Sequence, residues 1–533
     1  MDELSHNKAT GTMSQNAARL RRTIIAMMIV PFIVAVIVRV SPLVTGGARL
    51  LWQSITEDGY LMLTIARNIA LGHGFSVSGG LVATNGTQPL STLLFAGCFK
   101  LFSVDRITGL YPIVALQVLI TLSGAVAIYI CVKRFIYHGK DATLVALLAA
   151  MFWFISPSTT SHGHNGLETG LYAILVLLCV AMYDAFSISL KKQFSFSRCV
   201  GLGVLLGITF LARNDACFLI AVLLLFHLVT TWKVHVGKRA AIGQCMVIGI
   251  TSIVVASPWL IFNVTKFGHV VPVSGRSEAS GLTFGENVLP AVVAIVENAS
   301  LFFRIPQQLE REPYVVGLCI FIALGMMFII LKKIAWFRKQ FSAGFAILAF
   351  YVATLAIYYS LFFGAQHFLG RYLYSIVTLS AIIAAALVAA RAKHATISSS
   401  RILILLVSMA ALASISLNAW VYRNGNKHAH AQVVNWVDEH VPADVWVAAT
   451  QTGTLGYYHD RTINLDGKVD PQSLDYRLRG RIVDYLDERN VAYIVDWAGH
   501  ADWAKKPEFA SRFELIVYDK HANLAVLRRR QGT

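Results

Sequence analysis

The sequence predicts an α-helical polytopic membrane protein with a small α/β domain at its C-terminal end. Three observations carry that prediction. The chain has 533 residues, of which 56% are hydrophobic and only 14% charged, at a mean hydropathy of +0.60, more apolar surface than a soluble core can hide. Apolar runs of bilayer length recur along it, each closed by turn or charge signals. After residue 420 the composition changes, and short strand-like runs alternate with helical ones.

Taken in order, residues 1–22 form a polar tail ending in Arg19, Arg21 and Arg22. The apolar run behind it is too long for a cleaved signal, so this segment reads as an anchor with its N-terminus in the cytoplasm. Apolar stretches then stand at 23–45, 110–132, 141–157, 168–187, 199–212, 215–232, 241–262, 314–331, 341–363, 371–390 and 402–420, about eleven spans within a transmembrane domain of residues 23–420. The run 89–103 is short, carries Lys100 and reads as an interfacial helix. Counting it as a span would reverse the loops that hold Lys191, Lys192 and Arg198, Lys332 and Lys333, and Arg391 and Lys393, all expected on the cytoplasmic side. The net charge of +17 is therefore read as positive-inside loops, not as a nucleic-acid footprint. The seven cysteines lie mostly inside apolar runs without CxxC spacing, as small core residues do.

This parity sends four loops to the outer face: 46–109, 158–167, 263–313, and the one holding His367 and Arg371. The C-terminal segment 421–533 follows them. Its runs 445–449, 491–497, 513–519 and 524–529 read as strands, and 431–441 and 479–490 as helices, giving an extracytoplasmic α/β domain. The apolar stretch from Leu289 to Val296 suggests an amphipathic lid within loop 263–313.

Four polar sets meet on that face. Glu57, Asp58 and Tyr60 open the run EDGYLMLTIARNIALGHG, which contains His73 and is followed by Asn85 and Gln88. His162, His164, Asn165 and Glu168 lie in SHGHNGLETG. Arg213, Asn214 and Asp215 interrupt an apolar run, and His367 and Arg371 stand four residues apart, on one face if the segment is helical. Each set has an ordinary structural explanation: solvated acids, an i, i+2 histidine pair in a strand or turn, an intramembrane ion pair of Arg213 with Asp215, a snorkelling Arg371. Their convergence points further. Acids beside lipid are costly unless they meet water, a cation or a reacting proton. A carboxylate there, with arginine and histidine on the same side, suits proton removal from a hydroxyl acceptor while a cation receives a departing lipid phosphate. No metal ligand set is fixed by the sequence, although Glu57 and Asp58 could hold a divalent cation as readily as a proton.

The run EDGYLMLTIARNIALGHGF resembles the first outer loop of the GT-C superfamily of polytopic glycosyltransferases, which includes protein O-mannosyltransferases, aminoarabinose transferases and arabinofuranosyltransferases. TNGTQPLSTLL resembles the TNGxQPLW helix of these enzymes, HNGLETGLY their (S/N)GMETxLY loop, ARNDA their TRPD/TRPE turn, GRYLYS their RYLLP element, and GYYHDRTINLDGKVDP an outer-domain segment of related members. The order along residues 50–470 is that of the family. Asn214 stands where the family usually has proline and Ser91 where it has tryptophan. The resemblance implies inverting sugar transfer from a polyprenyl-phosphate donor to a hydroxyl on a cell-envelope glycan, lipid or protein, among membrane lipids and at the outer face of a bacterial plasma membrane. It places the general base on Asp58 with Glu57 as its neighbour. It implies donor phosphate or lipid contacts at Arg371, His367 and Arg213, and substrate contacts at Tyr60, Glu168, Asn165 and Gln88. A transporter or lipid flippase working through Arg213 and Asp215 is the rival class, weakened by the lack of paired halves.

Overall fold

The computed structural model describes residues 2–44, 55–187, 196–233, 238–306, 308–393, 397–424 and 430–530. The predicted loop 46–109 up to residue 54, and the basic positions Lys191 and Lys192, lie outside them. The long helix α1 (Asp2–Val44) is followed by α2 (Glu57–Ala70), a small hairpin of β1 (Ser76–Val77) and β2 (Val82–Ala83), and α3 (Pro89–Leu101). Next come α4 (Leu110–Cys131), α5 (Ala142–Ile155), α6 (Pro157–Gly163), α7 (Thr169–Ser187), α8 (Phe196–Ala212), α9 (Ala216–Lys233) and α10 (Lys238–Phe267). Two short helices, α11 (Val273–Ala279) and α12 (Val288–Ser300), lead to α13 (Pro313–Gln340), α14 (Ala343–Leu361), α15 (Leu369–Tyr372), α16 (Ser375–Lys393) and α17 (Ile397–Asn424).

Among the described residues, eight helices are long and apolar enough to cross a bilayer: α1, α4, α7, α10, α13, α14, α16 and α17. The pair α5 and α6, bent by 63°, adds a ninth when the two are taken as one broken span. The bend falls at Ser156, whose extended backbone precedes Pro157, a residue that cannot donate into the preceding turn. The runs predicted at 199–212 and 215–232 are the shorter apolar helices α8 and α9, packed on α10. The chain is an integral membrane protein. Helix α5 is buried almost throughout among α1, α4 and α16. Helix α13, by contrast, exposes Phe321, Phe328 and Leu331, as a helix facing lipid does.

Three expectations change. The span predicted from residue 371 starts at Ser375, because Leu373 leaves helical geometry (φ −92°, ψ 12°) and separates α15 from α16. His367 sits on a 3-10 turn at 366–368 and Arg371 on α15, so no single helix face relates them. The apolar stretch from Leu289 to Val296 forms most of α12, which buries Ala291, Val293 and Val296 against α13, α14 and α16 instead of standing free as a lid.

The C-terminal unit opens with α18 (Ala431–His440) and continues through β3 (Val447–Ala449), α19 (Gly453–Tyr458), β4 (Thr462–Asn464), α20 (Pro471–Leu478), α21 (Ile482–Glu488), β5 (Tyr493–Asp496), α22 (Pro507–Ala510), β6 (Phe513–Asp519) and β7 (Leu524–Arg529). The sheet order is β4-β3-β5-β7-β6, with β4, β3 and β5 parallel and β7 antiparallel to both its neighbours. Strand β3 is buried along its whole length, as an inner parallel strand covered on both faces must be. Helices α18 and α19 cover one face with Val433, Val437 and Leu455. The other face packs Leu486, Phe509 and Phe513.

Candidate active site

The acidic turn of α2 is fixed from two sides. Thr56 caps the helix by accepting from the Gly59 amide, and its own amide and hydroxyl donate to the Asn165 carbonyl at 3.0 and 3.1 Å. Asn165, predicted to touch substrate, is thus buried and positions the start of α2. On the other side the C-terminal domain presses directly on the turn: a Cβ added at Gly453 would lie 1.8 Å from the Glu57 carbonyl oxygen. Only glycine permits that approach. The Glu57 carboxylate accepts from the Thr454 amide at 3.1 Å and from the Thr454 hydroxyl. Glu57 therefore fastens the C-terminal domain to α2. Tyr60 belongs to the same seam, fully buried against the rings of Tyr457 and Tyr458. Glu57→Ala is expected to lower stability by about 1–3 kcal/mol, read as faster proteolytic separation of the C-terminal domain.

Asp58 turns to a different partner. Its Oδ2 accepts from Arg371 Nη1 at 2.9 Å, with the two side chains 18% and 15% exposed. Arg371 also donates to the Tyr372 hydroxyl at 3.3 Å and lies 4.8 Å from the Phe368 ring centre. A second cation arrives from the C-terminal domain. Lys468 Nζ is 2.9 Å from Glu278 on α11 and 3.7 Å from Asp466, and 4.7 Å from the same Phe368 ring. Gly86, in the TNGTQPL run, makes this placement feasible, since a Cβ there would sit 2.2 Å from the Lys468 carbonyl oxygen.

These charges set the protonation of the site. Burial alone raises the Asp58 carboxyl, but Lys468 and then Arg371 outweigh it and hold it below the usual carboxylate range. Burial and Lys468 together depress the His367 imidazole, which stays neutral near pH 7. Burial pushes the Asp466 carboxyl up to about 6, against the pull of Lys468. A carboxyl raised in the fold favours the folded state below its unfolded range and loses that contribution as pH rises through 6. Wild type should accordingly lose on the order of 2 kcal/mol relative to Asp466→Asn between pH 4 and pH 7, measured as the difference between their melting curves.

Behind the pair lies a second set. Arg213 is 4% exposed and bonds Glu168 at 2.8 Å and Asp215 at 2.5 Å. Its guanidinium carbon is 4.8 Å from the Tyr372 ring centre, and that of Arg371 is 5.0 Å from the same ring. Tyr359 stacks on Tyr372 at 4.7 Å and 9°. The Arg213–Asp215 ion pair is present and Glu168 completes it, so these three reach the site through Tyr372. Gln88 precedes α3 outside this cluster. His162 lies in the last turn of the short helix α6, which Pro157 starts, where a strand or turn was expected, and His164 lies in the bend that follows it. Among the described residues no three His, Cys, Asp or Glu side chains gather as a metal ligand set, and Glu57 gives both oxygens to Thr454 instead of chelating with Asp58. Sequence reasoning missed Lys468, Asp466 and Glu278. The first two stand inside the LDGKVDP run quoted above; Glu278 carries no signal of its own.

Residues 418–529 match a domain of unknown function, DUF8728. No curated protein matches the chain. Among solved structures, the chain is similar to ArnT from Cupriavidus metallidurans bound to undecaprenyl phosphate, with a TM-score of 0.56 at 10% identity over 91% of this chain and 97% of that one. The chain has the GT-C fold. A second GT-C structure, the archaeal oligosaccharyltransferase AglB from Archaeoglobus fulgidus in complex with an inhibitory peptide and a dolichol-phosphate, gives 0.55 at 12% identity over 95% of this chain and 74% of that one. Within this GT-C frame, Asp58 and Arg371 meet across 313 positions of sequence.

Proposed function

We propose that this GT-C protein is a membrane glycosyltransferase that moves a sugar from a polyprenyl-phosphate donor to an acceptor hydroxyl. The reaction runs on the face bearing the C-terminal domain, which we assign to the extracytoplasmic side. The observation that carries the reading is the Asp58–Arg371 pair with Lys468 beside it, an ionised carboxylate between two cations. Donor phosphate competes with Asp58 for Arg371. As the guanidinium turns to the phosphate, the carboxylate regains basicity and takes the acceptor's hydroxyl proton. The acceptor oxygen bonds the anomeric carbon as the bond from that carbon to the phosphate oxygen breaks. The released polyprenyl phosphate is received by Arg371 and Lys468, with the neutral His367 imidazole as a further donor. One displacement inverts the anomeric centre. The two ligand-bound solved structures, one holding undecaprenyl phosphate and one a dolichol-phosphate, support a lipid phosphate as the donor's leaving group.

The test is sugar transfer by the purified protein in nanodiscs, from a panel of radiolabelled polyprenyl-phosphate sugars to a cell-envelope extract. The product's anomeric configuration is read by NMR. Transfer with inversion supports the mechanism. Retention, or no transfer from any donor by folded protein, overturns it.

A further inference from the structure

A cleft of about 400 Å³ opens beside the charge cluster, walled by Ser277 and Glu278 of α11, Ser280, Gly281, Glu286, the 364–367 turn, Arg311 and Arg477 of α20. It shares groups with the cluster. Glu278 in its wall holds Lys468, and the His367 ring lies tilted against Phe368, the ring against which Lys468 and Arg371 both lie. We infer that this cleft binds the acceptor and that the acceptor is an uncharged saccharide, an inference that rests on the sugar-transfer reading above.

Three properties of the wall select that chemistry. Ala365 is its largest aliphatic side chain, so neither an acyl chain nor an apolar peptide side chain finds a contact there. Charge is balanced: the wall carries two acids, Glu278 and Glu286, and two arginines, Arg311 and Arg477. An ionic ligand therefore meets no net attraction. The groups are planar and bidentate, and they are already ordered. Gln366 donates to Glu286 at 3.2 Å and accepts from Arg311 at 3.2 Å. Arg477 donates to Ser277 and Ser280 at 3.2 and 3.0 Å, while its buried Nε finds no protein acceptor. A fixed array of carboxylate, amide and guanidinium edges matches the adjacent hydroxyls of a sugar ring. The volume falls in the lower part of the roughly 300–1,000 Å³ range of small-ligand sites, enough for a short saccharide.

Direct binding to the full chain in nanodiscs tests this without donor. The probes are octyl glycosides bearing one, two or three uncharged rings, a Ser/Thr-rich peptide, and a diacylglycerol lacking sugar. The di- and trisaccharide probes should bind saturably. Glu286→Gln and Arg311→Ala should each weaken them about tenfold, and Lys505→Ala, on the exposed surface of the C-terminal domain, should not. With donor present, the acceptor KM should rise by the same factor in both cleft variants. No saturable saccharide binding, preference for the peptide or the diacylglycerol, or indifference of both cleft variants would overturn the proposal. Saccharide binding that depends on the cleft in a protein that transfers no sugar would overturn the reaction and keep the site.

Discussion

Asp58→Asn should lower the single-turnover rate of sugar transfer by about 10²–10⁴-fold, the range set by removing a positioned general base, while leaving the protein folded. Asparagine keeps the shape of the side chain, and its carbonyl oxygen can still accept from Arg371 at the 2.9 Å position. What it lacks is the charge and the basic lone pair that the reaction needs. Losing the ionic part of the Arg371 contact costs on the order of 1–3 kcal/mol, small against the stability of a large membrane domain. The rate should therefore collapse without a matching fall in melting temperature. A variant that keeps a tenth or more of the wild-type rate would remove Asp58 as the base, even if sugar transfer itself stands.

Lys468→Met should act on both rate and pH dependence. The side chain is the leading cation opposing the burial of Asp58, and it belongs to the proposed receiver of the leaving phosphate. Removing it should lower kcat/KM by about 10²–10³-fold at pH 7, the scale of a lost electrostatic donor. The Asp58 carboxyl should then rise toward its ordinary range. Because the base works only when ionised, the variant should begin to lose activity at a higher pH than wild type as the solution is acidified. Asp466 should rise as well, since Lys468 is what lowers it against burial. A kcat/KM profile between pH 4 and pH 8 reads this directly, with Lys468→Arg as the charge-preserving comparison. Parallel profiles and a loss below threefold would show that Lys468 only ties the domains together.

The sequence made some of this legible and hid the rest for physical reasons. Apolar runs report burial or lipid contact one segment at a time, so the long helices and the strands β5, β6 and β7 could be read from them. Strand β4 has only three residues, and its one aliphatic side chain, Ile463, stands between Thr462 and Asn464, so no apolar run marks it. The acidic turn was legible because charge beside a span is costly. Its division of labour was not: adjacent residues on a helix point about 100° apart, so Glu57 reaches Thr454 while Asp58 reaches Arg371. Lys468 and Glu278 are 190 residues apart in the chain, and no local pattern says that the C-terminal domain lowers its lysine onto α11. The break between α15 and α16 escaped notice because hydropathy does not register a change in backbone angles at Leu373.

The seam at Gly453 and Gly86 also fixes when the site can exist. The chain is made from its N-terminus, so Asp58 leaves the ribosome long before Arg371 and longer still before Lys468. During that interval Asp58 lacks both cations, and Glu57 lacks the Thr454 amide that holds it. The chain thus lacks an assembled site until Lys468 has been made, and a product cut short before residue 453 would carry the acids, the membrane helices and Arg371 but never the enclosed cluster. Completion of the C-terminal domain, not insertion of the helices, adds Lys468 to Asp58 and Arg371 and closes the seam on Glu57.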